Sequence, residues 1–326
     1  MTRRALVTGG SGFVGQWLTR ALLTRGWEVY AAGVSQPAPG ILDADEERAV
    51  HSHRMDIRSA ADVAAALDAA RPDAIVHLAG VSFLPSASDA PALAWEINVV
   101  GAVTLLADVA RRRQAGTLDP RILVVGSAQQ YGRHDPGELP LAESAEQRPL
   151  TVYAASKLAQ EVAAFQAFRA EGVQVVATRS FNHSGVGHGA QFLLPALVQR
   201  VLALKAGDGA GAGRKAAVPI GNGDVIRDYL HVSDVVEAYL ALMEQGIPGE
   251  AYNVCSGVGV RVRDLATRVL ELAGVRAEIS SDAALQRPVD VPALVGSAEK
   301  LIRATGWRPR RSTDDIINDL LRATTH

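Results

Sequence analysis

The chain has 326 residues, of which 48% are hydrophobic, and a formal net charge of -2. This length allows one large domain or two closely packed ones, and the balanced charge gives no indication of binding to nucleic acid or to an anionic membrane. Its single cysteine, Cys255, excludes an internal disulfide and a cysteine-based zinc site, and we expect no metal. Because no signal-peptide pattern or long uninterrupted apolar run is found, we expect a cytoplasmic protein without a membrane span.

Short apolar segments alternate with longer amphipathic ones in the first half of the chain. Strands are predicted at Arg4–Thr8, Glu28–Ala32, Ser52–Met55, Ala74–Leu78, Ile122–Val125 and Val173–Thr178. Helices are predicted at Phe13–Arg25, Ser59–Ala70, Pro91 to about Arg113, and Thr151–Glu171. This alternation predicts an α/β fold, a doubly wound parallel sheet of the Rossmann type with helices on both faces.

The alternation becomes irregular after about residue 180. Helices are predicted at Phe192–Leu204, Val232–Glu244 and Val262–Ala273, a strand at Ala251–Val254, and an exposed loop in the Gly/Ala-rich run 207–213. We therefore expect a dinucleotide-binding domain formed by residues 1–179 and about 225–255. A smaller C-terminal α/β lobe, formed by about 180–224 and 256–326, is expected to bind the substrate.

A glycine-rich motif, Thr8-Gly-Gly-Ser-Gly-Phe-Val-Gly, lies between the first predicted strand and the first helix. Gly9, Gly12 and Gly15 would let the backbone turn tightly and approach a pyrophosphate. The helix N-terminus that follows would supply free N–H groups and a partial positive charge. The motif predicts a dinucleotide cofactor.

The end of the second strand bears on which cofactor is bound. An acidic residue there usually binds the free 2′-hydroxyl of NAD, but this strand ends in Ala32-Gly33-Val34-Ser35. The sequence therefore favours NADP over NAD, although we find no arginine at the position expected for a phosphate clamp. Asp56, after the third strand, is either an adenine ligand or an acid at a helix start.

Tyr153 and Lys157 are four residues apart and should share one face of a helix. An ammonium near a phenol favours the phenolate, so Lys157 is expected to lower the pKa of Tyr153 and to hold the nicotinamide ribose. The tyrosine could then exchange a proton with a carbonyl or hydroxyl group. Ser127, at the end of the fifth strand, is placed to bond the same substrate oxygen, or is simply a turn residue.

Together these motifs resemble the extended short-chain dehydrogenase/reductases, the nucleotide-sugar epimerase and dehydratase family, over nearly the whole chain. The resemblance implies a substrate sugar carried on a nucleoside diphosphate. Beyond the three glycines, Tyr153 and Lys157, it implies these cofactor-binding residues: Phe13, Val14, Ser35, Asp56, Ile57, Leu78, Ala79, Gly80, Asn98 and Phe181. It implies these substrate-binding residues: Ser82, Gln129, Asn182, His183, Arg227 and Arg287. His183 could instead be a structural hydrogen-bonding residue.

Within that family, Arg179-Ser-Phe-Asn-His-Ser-Gly is similar to GDP-mannose dehydratases and to GDP-4-keto-6-deoxy-mannose reductases. The segments Tyr252-Asn-Val-Cys-Ser-Gly and Gly306-Trp-Arg-Pro are most similar to the reductases, which implies a GDP-sugar substrate and GDP-D-rhamnose as the product. The chain departs from that pattern at Gly185-Val-Gly-His and in the Gly/Ala-rich run. The resemblance also implies a homodimer through a four-helix bundle made by the helices around 91–113 and 152–171.

Three related reactions begin with the same tyrosine and cofactor. Relatives that are 4,6-dehydratases carry an acid at the position of Gln129, and an amide cannot cycle as an acid and a base. Dehydration is therefore disfavoured unless Glu138 or Glu143 substitutes. A 4-epimerase usually has the strand-two acid that Gly33 replaces. Ketone reduction is favoured, and a non-catalytic sensor or scaffold is the distant alternative because both Tyr153 and Lys157 are present.

Overall fold

The computed structural model describes residues 2–35, 40–207, 216–286 and 291–324. Its centre is a seven-stranded sheet in which every pair of neighbouring strands is parallel. The strands in chain order are β1 (Arg4–Thr8), β2 (Glu28–Gly33), β3 (His51–Arg54), β4 (Ala74–His77), β5 (Arg121–Ser127), β6 (Val175–Ser180) and β10 (Ala251–Val254). Strands β7 to β9 belong to a smaller lobe described below. Their spatial order is β3-β2-β1-β4-β5-β6-β10. The predicted doubly wound Rossmann-type sheet is confirmed.

Helices cover both faces of this sheet, since its strands are apolar on both sides. The helices in the first part of the chain are α1 (Phe13–Thr24), α2 (Ala44–Ala49), α3 (Ala60–Ala70), α4 (Leu84–Asp89), α5 (Pro91–Trp95), α6 (Gly101–Gln114) and α7 (Val152–Glu171). On one face α1 packs on a later helix, α9 (Val232–Gln245), which follows α8 (Leu193–Ala206). On the other face α3, α6 and α7 pack together around Leu67, Leu105 and Val109.

The long helix predicted from Pro91 is interrupted by a π-helical segment at Glu96–Val100 between α5 and α6. Residues Pro91–Gln114 are long and apolar enough to cross a membrane by length and composition alone. However, α6 packs against α3 and α7, as a covering helix of an α/β domain does. The cytoplasmic location stays a prediction.

A smaller lobe lies beside the carboxyl ends of the central strands. Its strands are β7 (Asn182–Ser184), β8 (Ala217–Ile220), β9 (Ile226–His231), β11 (Gly259–Arg261), β12 (Glu278–Ser281) and β13 (Ala293–Leu294). Its helices α10 (Val262–Ala273) and α12 (Thr313–Thr324) pack with α8, and α11 (Glu299–Thr305) packs with α9 and β10.

The segment from about residue 225 to 255, predicted to belong to the dinucleotide-binding domain, contributes both to the smaller lobe and to the central sheet. Strand β9 pairs with β7, β11 and β13 in the smaller lobe, whereas α9 and β10 join the central layer. The division into two domains stays a prediction. Most of the Gly/Ala-rich run 207–213 lies outside the described residues.

Candidate active site

A cavity of about 850 Å³ lies where the carboxyl ends of the central strands face the smaller lobe. Ligands of doubly wound folds bind at this edge, because loops from alternate crossovers diverge there. The lining runs from the glycine-rich loop past the ends of β2, β3, β4 and β5 to β7, α8 and β9. The cavity therefore joins the predicted cofactor and substrate regions.

The glycine-rich loop is packed so closely that side chains could not replace its glycines. A β-carbon on Gly15 would lie 2.4 Å from the Gly9 carbonyl oxygen, and Gly9 has φ +71°. Gly12 is the N-cap of α1 and makes no side-chain capping bond, so the first N–H groups of this helix face the cavity. This cradle fits the pyrophosphate of a dinucleotide. Phe13 and Val14 line it as well.

We call the part of the cavity near the ends of β2 and β3 the adenosine end, since the adenosine of a Rossmann-bound dinucleotide lies beyond the second strand. Ser35, Asp56 and Ile57 line it, as predicted for cofactor-binding residues. Asp56 binds Arg58, with Oδ2 2.6 Å from Nη2, and the hydrogen bonds from Arg58 lower the pKa of this carboxyl to about 2.

Two arginines at the adenosine end, Arg54 and Arg58, were missed by the sequence analysis. The position expected for a phosphate clamp was after the second strand, whereas Arg54 ends the third strand and Arg58 lies four residues beyond it. Arg54 is the last residue of β3, and the register pairs it with Gly33 of β2. As expected, no arginine follows the second strand, but the adjacent third strand brings Arg54 to this end of the cavity.

The middle of the cavity is lined by Leu78, Ala79, Gly80 and Phe181, all predicted to contact the cofactor. Asn98 is different: it is fully buried behind the wall and is not among the lining residues. Its Oδ1 accepts a 2.8 Å hydrogen bond from the Val81 N–H, and its Nδ2 donates to the Ser156 hydroxyl at 2.9 Å. Asn98 thus holds the loop after β4 against α7.

Ser127, Tyr153 and Lys157 line the same region of the cavity, from the end of β5 and the first turns of α7. The Ser127 hydroxyl lies close enough to Tyr153 to act on the pKa of its phenol. The Lys157 ammonium donates to the Val125 carbonyl at 2.8 Å and to the Gln160 amide oxygen at 2.9 Å, and burial lowers its pKa to about 8. The structure brings together the three residues predicted to be catalytic.

The pKa of Tyr153 differs from the expectation. Burial raises this pKa, and the nearby Ser127 hydroxyl only partly opposes that rise. Lys157 does not lower it in this structure, because its ammonium is bound to Val125 and Gln160 instead. A neutral phenol at physiological pH is the form that can donate a proton.

A buried polar network supports Ser127 from behind and was not predicted from the sequence. Gln130 accepts a hydrogen bond from the Ser127 N–H at 2.7 Å and donates to Glu161 at 3.0 Å. Glu161 in turn forms a buried ion pair with Arg179, with Oε1 and Nη2 2.7 Å apart, and Arg179 donates to the Tyr131 hydroxyl. The loop that carries Ser127 is thus tied to α7 and β6.

Ser82, Gln129, Asn182, His183 and Arg227, predicted to bind substrate, all line the cavity. Arg227 lies at the end nearest the smaller lobe, buried, and donates to the carbonyls of Ile226 and Val291 at 2.8 and 2.7 Å. Its placement next to the lobe fits contact with a diphosphate. Arg287, which is also predicted to bind substrate, lies outside the described residues.

His183 bonds through Nδ1 to the Phe181 carbonyl at 2.9 Å and also lines the cavity, and its contact with substrate stays a prediction. A set of stacked rings nearby was not predicted. His188 stacks on Phe13 and Phe192 with ring centroids 4.5 and 4.2 Å apart, and Phe192 meets Phe83 edge-on at 5.5 Å. These rings give the substrate side an apolar wall.

The two acids considered as substitutes for a dehydratase acid point elsewhere. Glu138 binds His134 and Arg148, and Glu143 accepts from the Asn253 N–H at 2.8 Å. Neither lines the cavity, and in the described part of the chain Asp56 at the adenosine end is its only acidic lining residue. His77 and Cys255 are buried, as expected for core residues.

Comparisons with known proteins agree with this geometry. Residues 6–320 match the family model described as GDP-mannose 4,6 dehydratase. The chain is 35% identical to GDP-6-deoxy-D-mannose reductase of Pseudomonas aeruginosa, covering 98% of this chain and 97% of the relative. It is 29% identical to GDP-6-deoxy-D-talose 4-dehydrogenase of Aggregatibacter actinomycetemcomitans, covering 93% and 91%. A solved structure of RMD from Pseudomonas aeruginosa complexed with NADPH is similar over 100% of this chain and 99% of that one, with a TM-score of 0.83 at 31% identity.

Proposed function

Since the chain belongs to the GDP-mannose 4,6-dehydratase family of nicotinamide-dependent nucleotide-sugar enzymes, we propose that it reduces the C4 ketone of GDP-4-keto-6-deoxy-D-mannose to GDP-D-rhamnose. The relative from Pseudomonas aeruginosa carries the corresponding activity in its name and aligns over nearly the entire chain. The resemblance expected from the sequence motifs is confirmed, and the protein is an NAD(P)-dependent oxidoreductase.

One observation in the structure carries the choice of reduction over dehydration. Around Ser127 and Tyr153 the described lining of the cavity contains no carboxylate, and the position next to them is held by the amide of Gln129. Elimination of water across C5 and C6 needs a group that removes the C5 proton and another that protonates the leaving hydroxyl. Reduction needs only one proton donor beside the ketone, which this site supplies.

The reaction follows from the positions of these side chains. A nicotinamide cofactor held by the glycine-rich loop and the N-terminus of α1 would supply the hydride for the C4 carbon of the ketone. Tyr153 is suited to give its phenolic proton to the developing C4 oxygen, since its raised pKa keeps it protonated. Ser127, which lines the cavity with Tyr153, is placed to donate to the same oxygen and to polarise the carbonyl. Lys157, whose ammonium is bound to the Val125 carbonyl of β5 and to Gln160, holds the start of α7 beside the end of β5, and we propose that it also holds the nicotinamide ribose.

We favour NADPH over NADH because β2 ends at Gly33 without a carboxylate and two arginines line the adenosine end. A carboxylate at that position would bind the 2′-hydroxyl of NAD and repel the 2′-phosphate of NADP. The relative from Pseudomonas aeruginosa was solved with NADPH.

A homodimer formed by α5 to α7 of two copies remains part of the proposal. Several large apolar side chains on this surface are exposed: Leu93 40%, Trp95 41%, Val100 51%, Val103 46% and Val162 55%. Clustered apolar exposure of this kind indicates a protein–protein contact. A four-helix bundle would cover it, because α6 and α7 already pack side by side.

The decisive assay follows NADPH consumption at 340 nm with freshly prepared GDP-4-keto-6-deoxymannose. We expect turnover by the wild-type protein and none above background by Tyr153→Phe. A parallel incubation with GDP-mannose tests for a 4-keto product. Formation of that product without NADPH consumption would make the protein a dehydratase and would refute the argument from Gln129.

A further inference from the structure

The adenosine end of the cavity holds a guanidinium group that the described structure leaves available. Arg54 lines the cavity and is exposed, and its side chain makes no hydrogen bond or ion pair with any residue that the structure describes. Its positive charge is nevertheless felt locally, since it contributes to lowering the pKa of Asp56 and Asp62. A cation in this position can bind an anion that enters the cavity.

The backbone fixes where that cation lies. Gly33 and Arg54 are register partners on neighbouring parallel strands, and the Met55 N–H donates to the Gly33 carbonyl at 3.0 Å. Adjacent strands are about 4.8 Å apart, so Arg54 emerges beside the position where an NAD-binding protein carries its ribose-binding acid. Gly33 leaves that position open, and a β-carbon there would already lie 3.3 Å from the Ser11 hydroxyl.

Arg58 is a weaker candidate for binding an anion at this end. Its guanidinium is 2.6 Å from Asp56 and 3.2 Å from Glu96, so two carboxylates already compensate its charge. A guanidinium held by two carboxylates would have to give up those bonds to bind a phosphate. Arg54 has no such bonds among the described residues.

We propose that Arg54 is the residue that selects NADPH over NADH, by binding the 2′-phosphate of the adenosine ribose. The assignment rests on the proposed use of a nicotinamide cofactor and extends it, because it names the group that separates the two cofactors. A planar guanidinium can give two parallel N–H donors to a phosphate, and the 2′-hydroxyl of NADH offers it no charge.

The test is a titration of the purified protein with NADPH and, separately, NADH, followed by cofactor fluorescence without any sugar substrate. In the wild-type protein we expect tighter binding of NADPH than of NADH. Arg54→Gln should weaken NADPH binding roughly 10-fold, the effect of losing one charged hydrogen-bonded contact, and leave NADH binding unchanged. Arg54→Lys should retain part of the preference, since it keeps the charge and loses the paired donors.

Arg303→Gln is the matched control, because it removes the same charge from an exposed side chain on α11. That helix packs near β10, at the opposite edge of the seven-stranded sheet and about 29 Å from β3 at the usual strand spacing. It should not change the affinity for either cofactor. The salt dependence of NADPH binding should also become shallower in Arg54→Gln and stay unchanged in Arg303→Gln.

Equal weakening of both cofactors by Arg54→Gln, or no change in NADPH affinity, would overturn the assignment while leaving the reductase proposal intact. A wild-type preference for NADH would overturn it too. If neither cofactor bound to the wild-type protein, the proposed function itself would fail together with this assignment.

Discussion

Breaking the buried ion pair between Glu161 and Arg179 should destabilise the protein more than any surface pair does. Their side chains are 4% and 8% exposed, and Arg179 donates to both carboxylate oxygens of Glu161, at 3.0 and 2.7 Å. Removing one partner from such a pair leaves a buried charge without compensation. Arg179→Met leaves the Glu161 carboxylate buried without its cation, and Glu161→Leu leaves the Arg179 guanidinium buried without its anion.

The expected loss is about 3–5 kcal/mol of unfolding free energy for each single variant. For 326 residues the unfolding entropy is about 0.7 kcal/mol per kelvin, so a 4 kcal/mol loss lowers Tm by about 6 °C. The double variant removes both charges of this pair. Its loss of unfolding free energy should therefore be at least about 2 kcal/mol smaller than the sum of the two single losses. Full recovery is not expected, since the Gln130 amide loses its acceptor in Glu161→Leu.

Urea unfolding followed by circular dichroism measures all four proteins of this cycle. Arg25→Met is the control, because Arg25 forms a two-bond pair with Glu237 whose side chains are 39% and 43% exposed. Its loss should stay below about 1 kcal/mol. Additive losses in the double variant, or single losses no larger than that of Arg25→Met, would show that solvent screens the Glu161–Arg179 pair and would refute the reasoning.

Four further outcomes are expected. Tyr153→Phe should abolish NADPH turnover but keep NADPH affinity within about twofold in a fluorescence titration, because only the hydroxyl is lost; weaker cofactor binding would contradict this. Burial lowers the pKa of His77 from 6.5 to about 3, so the unfolded chain takes up a proton at a higher pH than the folded protein does. The free energy of unfolding should therefore fall as the pH drops from 6.5 to 3, by up to about 1.4 kcal/mol per pH unit. His77→Gln should flatten this slope in urea unfolding measured at several pH values. Gly15→Ala should weaken binding of NADPH and NADH alike, since its β-carbon would meet the Gly9 carbonyl at 2.4 Å; unchanged affinities would mean that the loop yields easily. Val162→Glu should give a monomer in light scattering without loss of Tm beyond that of dimer dissociation, whereas a persistent dimer would place the contact elsewhere.

The sequence was sufficient for the parts of the site that short-range patterns determine. Gly9, Gly12 and Gly15 follow a strand and open a helix, and the four-residue spacing of Tyr153 and Lys157 places both on one helix face. Such features depend on local geometry, which the sequence encodes directly. The structure brings these residues to one cavity as predicted.

Features that depend on long-range register were not accessible in the same way. The third strand was predicted at Ser52–Met55 and is observed at His51–Arg54, so Arg54 closes the strand rather than lying inside it. Its pairing with Gly33 is a property of two strands joined by a long connection, which spacing alone does not determine. The pKa of Tyr153 likewise depends on burial and on which acceptors Lys157 binds, and both are tertiary properties.

Charge is separated along the cavity, and this separation suits ketone reduction. The adenosine end holds Asp56 with two arginines, whereas the described lining around Ser127 and Tyr153 is neutral apart from Lys157. A carboxylate near the phenol would raise the pKa of Tyr153 further and make the phenol a weaker proton donor, and it would also offer a base for the C5 proton. Its absence there favours reduction of a 4-keto sugar, while Arg54, which we propose discriminates between the cofactors, lies at the other end of the cavity.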